Sequence, residues 1–156
     1  METVDVDDLE RYWSHATDRR RVGEALDTTH VAVSYYEVQP GESVAGVVHA
    51  HLDQEEVFVP LEGTLTFRTD GEDVPVETGE AIRFAPGDYQ NCLNVGDTVA
   101  RVLAIGAPKG SETAQQRVHC PECDAKTDFE YEVSEEKSAK VLRCGACGAE
   151  LMQGTR

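Results

Sequence analysis

Basic residues, tryptophan and long apolar runs are scarce in this sequence. Lysine and arginine together number 14 against 30 acidic residues, and the formal net charge is −16. A chain this acidic repels phosphate backbones and anionic lipids, which argues against general binding to nucleic acid or to a membrane surface. The acidic residues are spread along the chain, and lysine occurs at positions 109, 126, 137 and 140 alone. Such a surface is typical of halophilic proteins, because the salt of their cytoplasm screens the self-repulsion.

The first ten residues lack the apolar core of a signal peptide, since acidic and apolar residues alternate there. No apolar run elsewhere is long enough to cross a bilayer. Both absences predict a cytoplasmic protein. Disulfides are rare in that reducing compartment, so the cysteines are expected to bind metal.

Residues 48–63, VHAHLDQEEVFVPLEG, combine strand-like sequence with potential metal ligands. His49 and His51 are two residues apart, so in a strand both imidazoles leave the same face of the sheet. Glu55 and Glu56 open the next apolar run, where a hairpin can bring one carboxylate opposite the rings. The alternation of a strand lets only one of these two glutamates face inward. Two imidazoles and one carboxylate predict a divalent metal site with open positions for substrate.

Two segments carry a family resemblance. The pattern H-X-H-X4-E-X6-G in residues 49–63 resembles the first sequence motif of the cupins, and its spacing favours Glu56 over Glu55. Residues 79–94 resemble the second motif, G-X5-P-X-G-X2-H-X3-N, with a glutamine in the position of its histidine. The resemblance implies a cupin double-stranded β-helix, a jelly-roll barrel, with iron, manganese, nickel or zinc inside. It also implies the side chains around that ion, which are His49, His51, Glu56 and Gln90.

Short apolar runs separated by turn signals fill most of the chain, which predicts an all-β fold. Val6, Leu9 and Trp13 have helical spacing behind a cluster of aspartates, so a short N-terminal helix is expected over residues 5–13. A chain of 156 residues can bury one core and a small appendage. The predicted units are an N-terminal helix and connector (1–29), the barrel (30–107), a linker (108–117) and a cysteine-rich module (118–156).

Four of the five cysteines form two Cys-X-X-Cys pairs, with twenty residues between the pairs. Each pair makes a turn that lets two thiolates bind one ion, and the residues between the pairs can form a hairpin. The arrangement resembles a zinc ribbon. A rubredoxin-like iron site uses the same four ligands, so zinc and iron both remain open. The predicted ligands are Cys120, Cys123, Cys144 and Cys147.

A metal-binding cupin is the predicted function, with a non-haem dioxygenase acting on a small anionic or chelating substrate as the first hypothesis. Two histidines and one carboxylate resemble the facial triad of such oxygenases. An isomerase or lyase that uses the ion as a Lewis acid would need the same ligands. The alternative is a non-catalytic module that senses a small ligand or metal and docks a protein through the ribbon. Cupins commonly pair through their sheets, so a homodimer is expected.

Several other side chains allow two interpretations. Residues 19–21 are three consecutive arginines. They are expected to form a solvated surface or else to line the opening of an anion-binding site. Cys92 is expected to be a small buried apolar residue, and the alternative is that it approaches the metal. Asn94 is expected to be structural. The candidate pocket walls are Tyr35, Tyr36, Phe58 and Arg101.

Overall fold

The computed structural model describes residues 1–14, 17–133 and 139–155, which form mostly β-strands. One short helix, α1 (Val22–Ala25), lies in these ranges. The strands are β1 (Tyr12–Ser14), β2 (Thr17–Arg20), β3 (Ala32–Val38), β4 (Val48–His51), β5 (Glu55–Glu62), β6 (Thr64–Thr69), β7 (Asp73–Glu77), β8 (Ile82–Phe84), β9 (Gln90–Leu93), β10 (Ala100–Ala107), β11 (Ala114–Cys120), β12 (Ala125–Val133), β13 (Ala139–Cys144) and β14 (Glu150–Thr155). Within the described ranges, no helix has the length and apolar character needed to span a bilayer.

The strands build two antiparallel sheets. One sheet has the order β1-β2-β3-β10-β5-β8, and the other has the order β14-β13-β12-β11-β4-β9-β6-β7. Neighbours in the sheets are often distant in sequence, as when β10 lies between β3 and β5. This topology confirms the predicted all-β fold, a double-stranded β-helix whose two sheets face each other across one core.

The core between the sheets is aromatic at its centre. Phe58, Phe67 and Phe84 pack with ring centroids 5.1 to 6.1 Å apart. Strand β10 alternates buried and half-buried residues along its whole length, which is the pattern of a strand with one face on a core. Phe58 of this core also lines a cavity that is faced by side chains of β4 and β5.

The N-terminal helix expected over residues 5–13 is not present there, and that prediction was wrong in position. Residues 6–9 form turns and bends, β1 begins at Tyr12, and the short helix of this region is α1. The aspartates favour the turn because their side chains bond to nearby backbone, as Asp5 does with the N–H of Asp7 at 2.9 Å. Arg20 holds the same turn by donating to the carbonyl oxygen of Val6 at 3.1 Å. The side chain of Trp13 lies outside the described residues.

The segment expected to be a linker is partly strand. Strand β11 begins at Ala114 and pairs with β4, so that Ala114 lies opposite His51 and Gln116 lies opposite His49. Without this partner the edge of β4 would leave backbone donors and acceptors unpaired. Strands β12, β13 and β14 then add to β11 in order. The cysteine-rich segment is therefore continuous with the sheet that carries both histidines.

Candidate metal centre

Three of the predicted ligands meet at one point of the barrel. His49 and His51 leave the same face of β4, and their rings lie edge to face with centroids 5.2 Å apart. Glu56, from β5, faces them across the barrel, with one carboxylate oxygen 3.7 Å from Nε2 of His51. One ligand atom from each of the three side chains lies within 4.8 Å of the other two. These are the residue types and the spacing that suit a divalent ion.

Glu55 points away from the site. Its carboxylate is exposed and accepts a hydrogen bond of 2.7 Å from Nε of Arg83 on β8. Strand alternation therefore places Glu56 inward and Glu55 outward, as the motif spacing indicated.

Ser111 orients the imidazole of His51. Its hydroxyl donates to a carboxylate oxygen of Asp53 at 2.6 Å, so it accepts from Nδ1 of His51 at 2.9 Å. The proton of the ring is then on Nδ1, and Nε2 keeps its lone pair toward Glu56. Burial lowers the pKa of His51, which favours the neutral ring that a metal requires.

Gln90 holds the carboxylate of Glu56. The side chain is 2% exposed and donates from Nε2 to a carboxylate oxygen of Glu56 at 2.9 Å. It stands opposite His49 in the pairing of β4 with β9. A direct bond from Gln90 to an ion would use its amide oxygen and stays a prediction.

The environment of Glu56 fits a bound cation. Burial raises the pKa of this carboxyl group, while His49, Gln90 and Arg19 act in the opposite direction. A carboxylate is costly to bury without a positive partner, and a divalent ion between Glu56 and the two imidazoles would supply that charge. The residues present therefore fit a divalent metal at this point.

The three side chains face a cavity of about 400 Å³. That volume suits a small molecule. Two of the four candidate wall residues, Tyr36 and Phe58, line it, whereas Tyr35 packs under Arg20 and Arg101 pairs with Glu37. The complete lining is Arg19, Ala32, Ser34, Tyr36, Val44, Ala45, His49, His51, Gln54, Glu56, Phe58, Gln90, Ala104, Gly106, Lys109, Ser111, Ala114 and Gln116.

The arginine run does not form a uniform solvated surface. Arg20 is fully buried and pairs with Asp7, Asp18 and Glu37. Arg19, on the opposite face of β2, lines the cavity and donates from Nε and Nη2 to the hydroxyl of Ser34 at 3.1 and 2.9 Å. In the described part of the chain, every other arginine has a carboxylate partner: these are Arg11, Arg20, Arg21, Arg68, Arg83, Arg101, Arg117 and Arg143.

Cys92 and Asn94 belong to the framework. Cys92 is buried in the apolar core opposite Phe67, and burial raises the pKa of its thiol well above the usual range, so it stays neutral. Asn94 is buried and donates to the carbonyl oxygens of Val38 and Thr98 at 2.8 and 2.7 Å. Its side chain closes the loop between β9 and β10, which confirms the structural role expected for it.

The four cysteines of the two pairs form a second cluster. Their sulfur atoms lie within 4.8 Å of one another, with Cys120 to Cys147 and Cys123 to Cys144 each at 3.8 Å. Burial acts to raise the pKa of Cys144, but the N–H groups of Cys147 and Ala146 outweigh it and lower that pKa to about 6. Four convergent sulfurs, with backbone donors that stabilise thiolate, fit one tetrahedral metal ion.

Known proteins share the barrel. Residues 34–106 match the model of the family described as the Cupin domain. Tetracenomycin polyketide synthase protein TcmJ of Streptomyces glaucescens is 32% identical over 79 residues, which are 51% of this chain and 52% of that protein. This chain thus spans about half the length of the curated relative that it matches.

Two solved structures show the same fold at low identity. A sugar phosphate isomerase of the cupin superfamily from Silicibacter pomeroyi has a TM-score of 0.66 and 18% identity, over 99% of this chain and 93% of that chain. The polyketide cyclase RemF from Streptomyces resistomycificus has a TM-score of 0.67 and 21% identity, over 78% of this chain and 88% of that chain. Residues 34–106 therefore match the Cupin domain model, and the barrel has the double-stranded β-helix fold of these structures.

Proposed function

We propose that the barrel cavity is the active site of a metal-dependent enzyme that acts on a small, oxygen-chelating anion. The observation that carries this proposal is the convergence of His49, His51 and Glu56, within 4.8 Å, on the wall of a cavity of about 400 Å³. An ion bound there would polarise substrate oxygens as a Lewis acid or support oxygen chemistry. Iron, manganese, nickel and zinc all accept this ligand set.

The residues around the three ligands prepare the site for that ion. Ser111 fixes the tautomer of His51, and Gln90 holds one oxygen of Glu56 so that the other faces the histidines. Tyr36 and Phe58 supply an apolar wall that limits water around a bound substrate. One carboxylate against a divalent ion leaves a net positive charge, which favours an anionic chelating substrate.

Similar proteins favour a reaction without net oxidation. Two of them are described as a polyketide cyclase and a sugar phosphate isomerase, and an isomerisation leaves the oxidation state of its substrate unchanged overall. We therefore place Lewis-acid chemistry first. The dioxygenase reaction is the second candidate, because two histidines and one carboxylate are also the ligand set of non-haem iron oxygenases.

A metal inventory of the purified protein, combined with oxygen uptake, tests this proposal. We expect a barrel ion that is lost in His51→Ala and retained in His119→Ala, which changes an exposed histidine outside the cavity. With acetylacetone and catechol as probes, Lewis-acid chemistry predicts no oxygen consumption beyond that of His51→Ala. Consumption that depends on His51 would instead support the dioxygenase. A protein with no ion at these ligands under any loading condition would contradict the proposed function.

We also infer that the four-cysteine cluster holds one structural zinc ion, with iron as the alternative. The inventory separates the two metals, and Cys120→Ser should remove this ion without removing the one bound by His51. If only the cysteine-bound ion is found, the alternative of a non-catalytic ligand sensor with a docking ribbon would be favoured. The predicted homodimer and cytoplasmic location stay predictions; light scattering and cell fractionation would check them.

A further inference from the structure

The cavity carries more positive charge than the chain as a whole would suggest. Acidic residues outnumber basic ones by 30 to 14, yet the charged residues of the lining, apart from the histidines, are Arg19, Lys109 and Glu56. Two cations thus face one carboxylate. A divalent ion at the histidines would add to this positive charge.

Arg19 is the cation best placed to bind a ligand. Among the described arginines it is the one whose side-chain partner is a hydroxyl and not a carboxylate. Two of its five N–H groups go to Ser34, which fixes the plane of the guanidinium beside the ring of Tyr36, with a centroid distance of 5.7 Å. A planar, always charged group with donors to spare is suited to two oxygens of a carboxylate or phosphate.

Lys109 lines the same cavity. Its ammonium group donates to the carbonyl oxygen of Thr28, an acceptor that leaves its charge unneutralised. A smaller cavity of about 110 Å³ is lined by Arg19, Ser34 and Lys109, and also by Arg21 and Glu24, which pair with each other. Both cations therefore line both cavities, including the one that the metal ligands face.

We propose that Arg19 and Lys109 form an oxyanion subsite that binds the carboxylate or phosphate end of the ligand, while the other end reaches the ion held by His49, His51 and Glu56. The second half of this statement rests on the proposed function, and the first half does not. The ligand class is a small dianion with a chelating oxygen pair at one end and an oxyanion at the other. The cavity of about 400 Å³ limits it to the size of a small metabolite.

Calorimetric titration with inorganic phosphate and with acetate, at low salt, tests the subsite. Phosphate should bind the wild-type protein, and Arg19→Gln should weaken it at least about tenfold, because a charge-assisted bidentate contact is lost. Lys109→Gln should weaken it less, since a lysine offers a single point charge. The matched control is Arg83→Gln, which removes the same charge from an exposed arginine paired with Glu55 and should leave phosphate affinity unchanged. Comparable binding of acetate would identify a carboxylate end, and preference for phosphate would identify a phosphate end.

The same titrations in His51→Ala separate the subsite from the metal centre. Phosphate binding that persists in His51→Ala but is lost in Arg19→Gln supports the subsite. This holds even if no ion binds the barrel and the proposed function fails. Binding that disappears in His51→Ala but is unchanged in Arg19→Gln would place the anion on the ion and overturn the subsite while leaving the proposed function intact. Absence of phosphate and acetate binding to the wild-type protein would also overturn it. Circular dichroism of each variant confirms that the fold is retained.

Discussion

Removing the hydroxyl of Ser111 should weaken the barrel metal site without removing any ligand. In Ser111→Ala, Nδ1 of His51 loses its acceptor at 2.9 Å, and Asp53 loses the donor at 2.6 Å that links it to the ring. The ring is then free to rotate or to change tautomer, so Nε2 no longer points at the ion in every molecule. Loss of such an outer partner costs about 10- to 100-fold in metal affinity, which is about 1.4–2.8 kcal/mol of binding free energy.

Titration of metal-free protein with Mn²⁺, followed by electron paramagnetic resonance, measures this effect. Manganese is the suitable probe because Mn²⁺ binds thiolates weakly, so the four cysteines do not compete with the barrel site for the ion. Ser111→Thr keeps a hydroxyl and should retain most of the affinity. Ser43→Ala removes a surface hydroxyl that accepts from the N–H of Gly46 at 3.1 Å and should have no effect. Equal affinity of Ser111→Ala and wild type, with affinity lost in His51→Ala, would refute the role given to Ser111.

Three further predictions concern charge and metal in the fold. Glu56→Gln should abolish barrel metal binding but raise the melting temperature of the metal-free protein. Burial raises the pKa of Glu56, so its contribution to stability is present below the unfolded pKa and is lost as pH rises through the folded pKa. Calorimetry between pH 4 and 8 should therefore show the higher melting temperature of the variant at the higher pH alone. Arg20→Met should lower the free energy of unfolding by about 3–5 kcal/mol, because buried Asp18 then loses its buried partner and keeps the half-exposed Arg11 alone. Exposed Arg68→Met should cost under about 1 kcal/mol, and urea unfolding compares the two variants. Cys120→Ser should release the cysteine-bound ion and increase hydrogen exchange along β11, and unchanged protection there would contradict a metal-dependent ribbon.

The centre of the site could be predicted from the sequence because its determinants are local. His49 and His51 share one strand, and their spacing fixes their common face whatever the rest of the fold does. Glu56 follows in the next strand, which belongs to the other sheet, so the short connection carries it across the barrel and the expected hairpin is not formed. The outward position of Glu55 follows from the same alternation.

The supporting residues could not be predicted because they come from distant parts of the chain. Ser111 is sixty positions from His51 and lay in a segment that reads as a linker. Arg19 and Arg20 are adjacent in a run of arginines. Only the pairing of β2 with β3 determines that Arg19 lines the cavity and that Arg20 forms a buried ion pair. The turn at residues 6–9 depends on Arg20 in the same way, so helical spacing alone gave the wrong element there.

Strand β11 connects the cysteine cluster to the barrel. One end of this strand lies against the histidine strand, and the other end is Cys120, about 20 Å further on at the usual rise per residue. Arg117, midway along it, is clamped by Asp128 at 2.7 Å and stacks on Tyr89 at 3.7 Å, so the strand cannot slide without breaking both contacts. A displacement of the cysteine cluster would therefore be transmitted to the imidazoles of His49 and His51 along the backbone of this one strand.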